Sequence, residues 1–148
     1  MSFSLSYPNN EARTSITKAA YSMLLDYCGS ILPNEACGVL AREKERHSID
    51  IILPIRNIHP HPSESFYFDP EEWTAACFSM EKNRQQLVGF FHSHPNTAAI
   101  PSNRDGEGFH FHSGFQYWII SLTDRSAPVV QPYRHQDGVF MPAQLVFA

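Results

Sequence analysis

Between residues 15 and 30 the apolar positions Ile16, Ala19, Ala20, Met23, Leu24 and Tyr27 recur at the spacing of one helical face, which predicts a helix. Thr14 or Ser15 is placed to cap its start, and Gly29 followed by Pro33 marks its stop. The period then changes. Cys37–Arg42 and Ser48–Pro54 are short apolar runs that predict strands, joined as a hairpin through the charged stretch Glu43 to Arg46. Pro60 and Pro62 make Arg56–Ser65 a loop, and Phe66–Phe68 has the length of one short strand. Asp69 then predicts a helix cap, with Pro70 at the first helical position and Glu71 and Glu72 in the first turn, where negative charge suits the dipole. This second helix runs to about Asn83. Leu87–His92 is a compact apolar run and predicts a buried strand. Residues 93–114 read as loop with at most one helical turn, and 115–122, 129–134 and 139–147 predict three more strands. Helices interleaved with strands over 148 residues imply a single α/β sandwich domain, 1–148.

Composition narrows the function classes. Apolar residues make up 43% and charged residues 18%, as in an ordinary folded domain. A net charge of −4, with Lys and Arg scattered, lacks the basic footprint of a nucleic-acid binder. No apolar run approaches the roughly 20 residues of a membrane span. The opening stretch MSFSLSYPNNEAR has no basic segment leading into an apolar one, so the cytoplasm is the expected location. Cys28, Cys37 and Cys77 are odd in number and form no CxxC, which predicts small buried hydrophobes rather than a disulfide framework or zinc finger.

Chemistry concentrates between Gly89 and Asp105. On a strand end, His92 and His94 would point to the same face with Cα atoms about 6.6 Å apart, close enough for both imidazoles to reach one ion. Ser93 would point the other way, and Pro95 would end the strand. Two other pairs share this spacing. His59/His61 lies in the proline-bearing loop, and His110/His112 lies between Gly108 and Gly114. Only His92/His94 is followed by Ser102-Asn-Arg-Asp105, a capping-box pattern that also supplies a carboxylate. Two imidazoles, one carboxylate and an open fourth position describe a catalytic Zn²⁺ site, with Fe²⁺ or Mn²⁺ as in vitro substitutes.

The order His-x-His, seven residues, Ser, two residues, Asp resembles the signature of the JAMM (MPN+) metallopeptidases, which His92, His94, Ser102 and Asp105 fill without a gap. Glu35-Ala-Cys-Gly-Val-Leu stands where that family places a glutamate, on the first strand after the first helix. Gly89-Phe-Phe before the histidines, Pro101 before Ser102, and Tyr117-Trp-Ile-Ile-Ser-Leu also match. The resemblance implies a three-layer-like sandwich, with a mixed central sheet flanked by helices, as in cytidine deaminases. It implies one zinc ion on His92, His94 and Asp105, Glu35 as general base, and Ser102 orienting water or donating to the developing oxyanion. Asp105-Gly-Glu-Gly-Phe-His departs from the pattern, being a poor helix former where relatives continue into a helix. The compact length resembles prokaryotic members that trim the C-terminus of ubiquitin-like or sulfur-carrier proteins. A Gly-Gly tail suits a narrow cleft, because only glycine allows so close a backbone approach.

Two other classes compete with a peptidase or isopeptidase. A catalytically silent MPN-type interaction module would not need the full ligand set that is present. A zinc nucleobase deaminase needs His-x-Glu and Pro-Cys-x-x-Cys, and neither string occurs. HExxH is absent as well. An exposed sheet edge leaves a homodimer open.

Overall fold

In this computed structural model residues 13–105 and 114–148 are described. The elements in chain order are β1 (Arg13–Ile16), α1 (Lys18–Ile31), β2 (Cys37–Glu43), β3 (Ile51–Ile55), α2 (Pro70–Lys82), β4 (Gln85–His94), β5 (Gln116–Ser121), β6 (Val129–Gln136), β7 (Val139–Pro142) and β8 (Gln144–Phe147). Six strands form one sheet in the order β3-β2-β4-β5-β6-β7. The β4–β5 pair is parallel and its neighbours are antiparallel, so the sheet is mixed as expected. β1 and β8 make a separate parallel ribbon.

Strand side chains alternate between faces, and here that alternation builds three layers. Leu40, Phe91, Trp118 and Ile120 pack with Ala20, Leu24 and Cys28 of α1. Val39, Phe90 and Tyr117 pack with Ala76 and Met80 of α2 on the other face. Phe91 and Trp118 are wholly buried, each removing apolar surface worth on the order of 1.5–3 kcal/mol from water. Two residues beyond Phe90 on the same face comes His92, and two further His94. The sequence alternation of β4 therefore carries apolar anchors into the core and imidazoles to its end. That end is the carboxyl end of the parallel pair, where open α/β sheets present their ligand crevices.

Several elements differ from the sequence expectation. The first helix starts later, with Thr17 as its cap accepting from the Ala20 N–H at 3.1 Å. Thr14 and Ser15, the expected caps, lie in β1, because Arg13–Ile16 alternates exposed and buried positions and finds a distant partner in β8. Gly29 lies inside α1, which ends at Ile31 with Leu32 as its C-cap, immediately before Pro33. The hairpin is present, but β3 begins at Ile51 because Ile49 is claimed by a bridge to Ile16. Phe66–Phe68 forms no strand beyond an isolated Asn57–Phe68 bridge. The single strand expected over 139–147 is broken at Ala143, whose N–H donates to Pro132 O at 2.9 Å while β8 leaves to join β1. Asp69 caps α2 as predicted, its carboxylate accepting from the Glu71 N–H at 2.9 Å. Cys28 and Cys37 are buried, but Cys77 is exposed on α2, so the expectation of three buried cysteines fails there. No helix among the described residues is long and apolar enough to cross a membrane.

Gly89 shows how tightly the ligand strand is held. A Cβ there would meet the backbone oxygen of Gln116 on β5 at 2.2 Å. Backbone cannot swing aside as a side chain does, so Gly89→Ala must spread β4 from β5. The expected cost is about 3 kcal/mol or more, seen as a lower urea midpoint in equilibrium unfolding.

Candidate metal centre

The structure brings His92, His94 and Asp105 together as one buried group, with ligand atoms all within 4.8 Å of one another. Both imidazoles present Nε2 to the same point, 3.1 Å apart. His92 Nε2 is 3.0 Å from Asp105 Oδ1, and His94 Nε2 is 3.4 Å from that oxygen. Ligands about 2.0–2.1 Å from a tetrahedral ion lie about 3.3 Å from each other, so this triangle has the dimensions of three corners of such a site. Each histidine is under 5% exposed, and Asp105 is 4% exposed. Two acceptor-bearing rings and a carboxylate are costly to bury together unless something positive lies between them. The donor set fits a divalent cation.

Second partners orient these ligands. His94 Nδ1 lies 2.7 Å from Ala98 O, and since a carbonyl only accepts, Nδ1 carries the proton and Nε2 keeps its lone pair for the site. His92 stacks on Phe66 with centroids 4.7 Å apart. The Ser102–Asp105 capping box is formed in both directions: Ser102 N–H donates to Asp105 Oδ2 at 2.8 Å, and Asp105 N–H donates to Ser102 Oγ at 3.3 Å. The local turn that a capping motif prescribes is thus what aims the carboxylate at the histidines.

Burial and neighbours tune the charges. Burial lowers the His92 pKa below its ordinary value, against the opposing pull of Asp105. Burial acts in the same direction on His94, but its bonds to Asp105 and Ala98 O outweigh it and the net shift is upward. Burial alone would raise Asp105; its contacts with the His92 and His94 rings, with the bond from the Ser102 N–H, hold it well below the usual carboxylate range. Glu35 is pushed up to about 7, chiefly by burial, with Asp105 adding to the shift and His94 and Arg104 opposing it.

Glu35 lies in the connection just before β2 rather than on the strand itself. Its backbone is pinned by Glu35 N–H to Pro62 O at 2.7 Å and by the Asn57 amide to Glu35 O at 3.0 Å. Its Oε1 is buried without a hydrogen-bond partner. Together with His94, Ser102 and Arg104, Glu35 walls a cleft of about 320 Å³. A buried carboxylate with an unsatisfied oxygen and a pKa near neutrality, facing such a cleft, is suited to accept a proton from water.

Ser93, expected only to point away from the metal, has a role the sequence reading missed. Its Oγ accepts from the Ala36 N–H at 2.8 Å, and its own N–H donates to Ala36 O at 2.9 Å, tying the residue after Glu35 to the residue between the two histidines. A small hydroxyl flanked by histidines on a buried strand was the available signal. Ser93→Ala leaves the buried Ala36 N–H unmet, and a loss of about 1–3 kcal/mol in stability is expected from denaturant melts, with metal content retained. The Ala98 carbonyl and Phe66 were likewise invisible, since neither their spacing nor their type marks them. His59 and His61 pack on each other in their loop, His59 Nδ1 accepting from the His61 N–H at 2.9 Å, and they join no metal-binding group among the described residues. His110 and His112 lie outside the described residues.

Residues 17–135 match the family model described as prokaryotic homologs of the JAB domain. A desampylase of Haloferax volcanii is 34% identical over 93 residues, covering 63% of this chain and 66% of that protein. A probable TtuB-protein conjugate cleaving protease of Thermus thermophilus is 33% identical over 49% of this chain and 47% of its own length. The chain thus spans about half to two thirds of these two curated relatives. The CysO-cysteine peptidase of Mycobacterium tuberculosis is 31% identical over 72% of this chain and 71% of that protein. Among solved structures, the protein DSY2949 from Desulfitobacterium hafniense superposes with a TM-score of 0.79 at 31% identity, covering 91% of this chain and 92% of that one. A JAB1/MPN domain protein from Archaeoglobus fulgidus shares the fold at a TM-score of 0.58 and 17% identity, covering 91% and 99% of the two chains.

Proposed function

The chain belongs to the family of prokaryotic homologs of the JAB domain, and on that premise we propose that it is a zinc-dependent peptidase or isopeptidase. Its proposed substrate is the C-terminal tail of a ubiquitin-like or sulfur-carrier protein, and residues 1–148 act as one catalytic domain. The observation that carries this reading is the buried convergence of His92, His94 and Asp105 beside a cleft walled by Glu35 and Ser102. The names of the relatives support the substrate class: a desampylase, a probable TtuB-protein conjugate cleaving protease and a CysO-cysteine peptidase. The complete ligand set argues against a silent interaction module.

His92 Nε2, His94 Nε2 and the Asp105 carboxylate would hold the ion, with the His94 tautomer fixed by Ala98 O. When bound, a zinc ion polarises the scissile carbonyl and brings the pKa of water toward neutrality. Glu35 Oε1 takes the proton of the attacking water and delivers one to the leaving amine; a carboxylate with a pKa near 7 can do both. Ser102 Oγ, positioned by its bond from the Asp105 N–H, donates to the oxygen on which charge develops. A backbone carbonyl reaching this buried centre leaves little room for side chains beside it, which favours a Gly-Gly tail. The proposed compartment is the cytoplasm, where the free thiols of Cys28 and Cys37 remain reduced.

The test is incubation of zinc-loaded protein with ubiquitin-like and sulfur-carrier proteins extended beyond a Gly-Gly terminus, read by intact mass. Loss of the extension, abolished by a chelator, is the expected outcome. Intact substrates throughout, with one zinc bound per chain, would reject the substrate class while leaving the metal assignment standing.

A further inference from the structure

A cavity at the other end of the sheet takes no part in the chemistry above. It encloses about 520 Å³, within the size range of small-molecule sites. Gln86 of β4 borders it, while the metal ligand His94 ends the same strand eight residues later, so the two sites are about 26 Å apart along β4. Arg13, Arg42, His47 and Arg134 line it, and its described lining contains no aspartate or glutamate. That is notable in a chain of net charge −4.

The arginines are positioned by neutral groups. Arg42 donates to the backbone oxygens of Lys44 and Arg46, and to Gln86 Oε1 at 2.9 Å. Arg134 donates one guanidinium nitrogen to Arg13 O at 3.0 Å, and its Nε is buried without a hydrogen-bond partner. The arginine–carboxylate pairs formed among the described residues are Arg46–Asp50 and Arg104–Glu64, and neither involves Arg13, Arg42 or Arg134. Register explains the shared face. Arg42 pairs with Gln86 and Arg134 with Gln116, so both arginines stand on the α1 face of the sheet foot, three strand spacings or about 14 Å apart, where β1 brings Arg13 and Ile49 bridges from beneath.

Preorganised guanidinium groups without a carboxylate partner form a receptor for an oxyanion. Three arginines match a phosphate dianion better than a single carboxylate. Ile49, Val88 and Val146 add an apolar wall, and the volume exceeds what inorganic phosphate fills. We propose that this cavity binds a phosphorylated small molecule of nucleoside-monophosphate size, its phosphate held by Arg42 and Arg134 and its body lying against the apolar wall. The site is separate from the metal centre and does not depend on the function proposed for it.

The test is calorimetric titration of the zinc-loaded protein with AMP, adenosine and inorganic phosphate. AMP is expected to bind saturably, at least tenfold more tightly than either fragment, and to weaken as salt is raised. Arg42→Gln and Arg134→Gln should each weaken AMP at least tenfold; if Arg134→Gln fails to fold, Arg42→Gln alone carries the comparison. No saturable AMP binding at millimolar concentration overturns the proposal. Binding unchanged in the Arg42 variant also overturns it, since the anion would then sit elsewhere, the metal centre included. Equal affinity for AMP and inorganic phosphate removes the apolar half of the assignment, and with it the ligand class proposed.

Discussion

Glu35→Gln is expected to lower turnover by about 10²- to 10⁴-fold while leaving metal content at one ion per chain, because it removes proton transfer without removing a ligand. Glutamine has the same shape, and the backbone bonds to Pro62 O and from Asn57 that fix this position do not involve the carboxylate. The same substitution should stabilise the metal-free protein. In the fold the Glu35 pKa is about 7, above its ordinary value of 4.5, so the native state holds a proton that the unfolded chain releases earlier. Stability conferred by that proton is complete below about pH 4.5 and declines as pH rises toward 7, beyond which the buried charge weakens the fold. Glu35→Gln lacks this penalty and should melt higher than the parent at pH 8, by the equivalent of about 1–2 kcal/mol, with the difference vanishing near pH 4. Thermal melts of chelator-treated protein at both pH values, with assays of the zinc-loaded form, check the pair of effects. Normal turnover in the variant would falsify the role of Glu35 as base.

His92→Ala is expected to lose metal and activity together. It takes away one of three protein ligands and leaves the buried Asp105 carboxylate without the ring 3.0 Å from its Oδ1. It also removes the ring that stacks on Phe66 beneath the sheet, opening a cavity whose cost is about 2–4 kcal/mol. Metal analysis after gel filtration should give far less than one ion per chain, and activity should fall to background. The contrast with Glu35→Gln is the informative part: one variant is metallated and inactive, the other inactive for want of metal. A folded His92→Ala protein carrying a full complement of zinc would remove His92 from the ligand set.

The apolar pattern was sufficient for the elements that bury their own periodic face. Asp69-Pro70-Glu71-Glu72 announced α2 because its cap, first turn and dipole complement are local. Leu87–His92 announced β4 as a run too short and apolar for anything but a core strand, although the strand extends to His94. Where the partner lies far off, the pattern misled. Arg13–Ile16 merged into the helical spacing that follows it, and only its pairing with Gln144–Phe147 makes it a strand. The break at Ala143 is likewise decided by which sheet each half can join, since β7 pairs β6 and β8 pairs β1.

The candidate ligands were legible for a related reason. His92 and His94 share a face by strand geometry, and Ser102 aims Asp105 by a capping box, so the sequence by itself determined three chemically demanding groups and their local orientation. Glu35 rested on resemblance alone, because its place is set across fifty-seven residues by the bonds joining Ala36 to Ser93. Only the tertiary structure decided that the three ligand atoms meet within the span of one ion, that burial brings Glu35 near neutrality, and that three arginines from separate strands face one cavity. Spacing along a chain constrains neighbours within a turn or a strand; distance, desolvation and uncompensated charge between remote segments exist only once the sheet has closed.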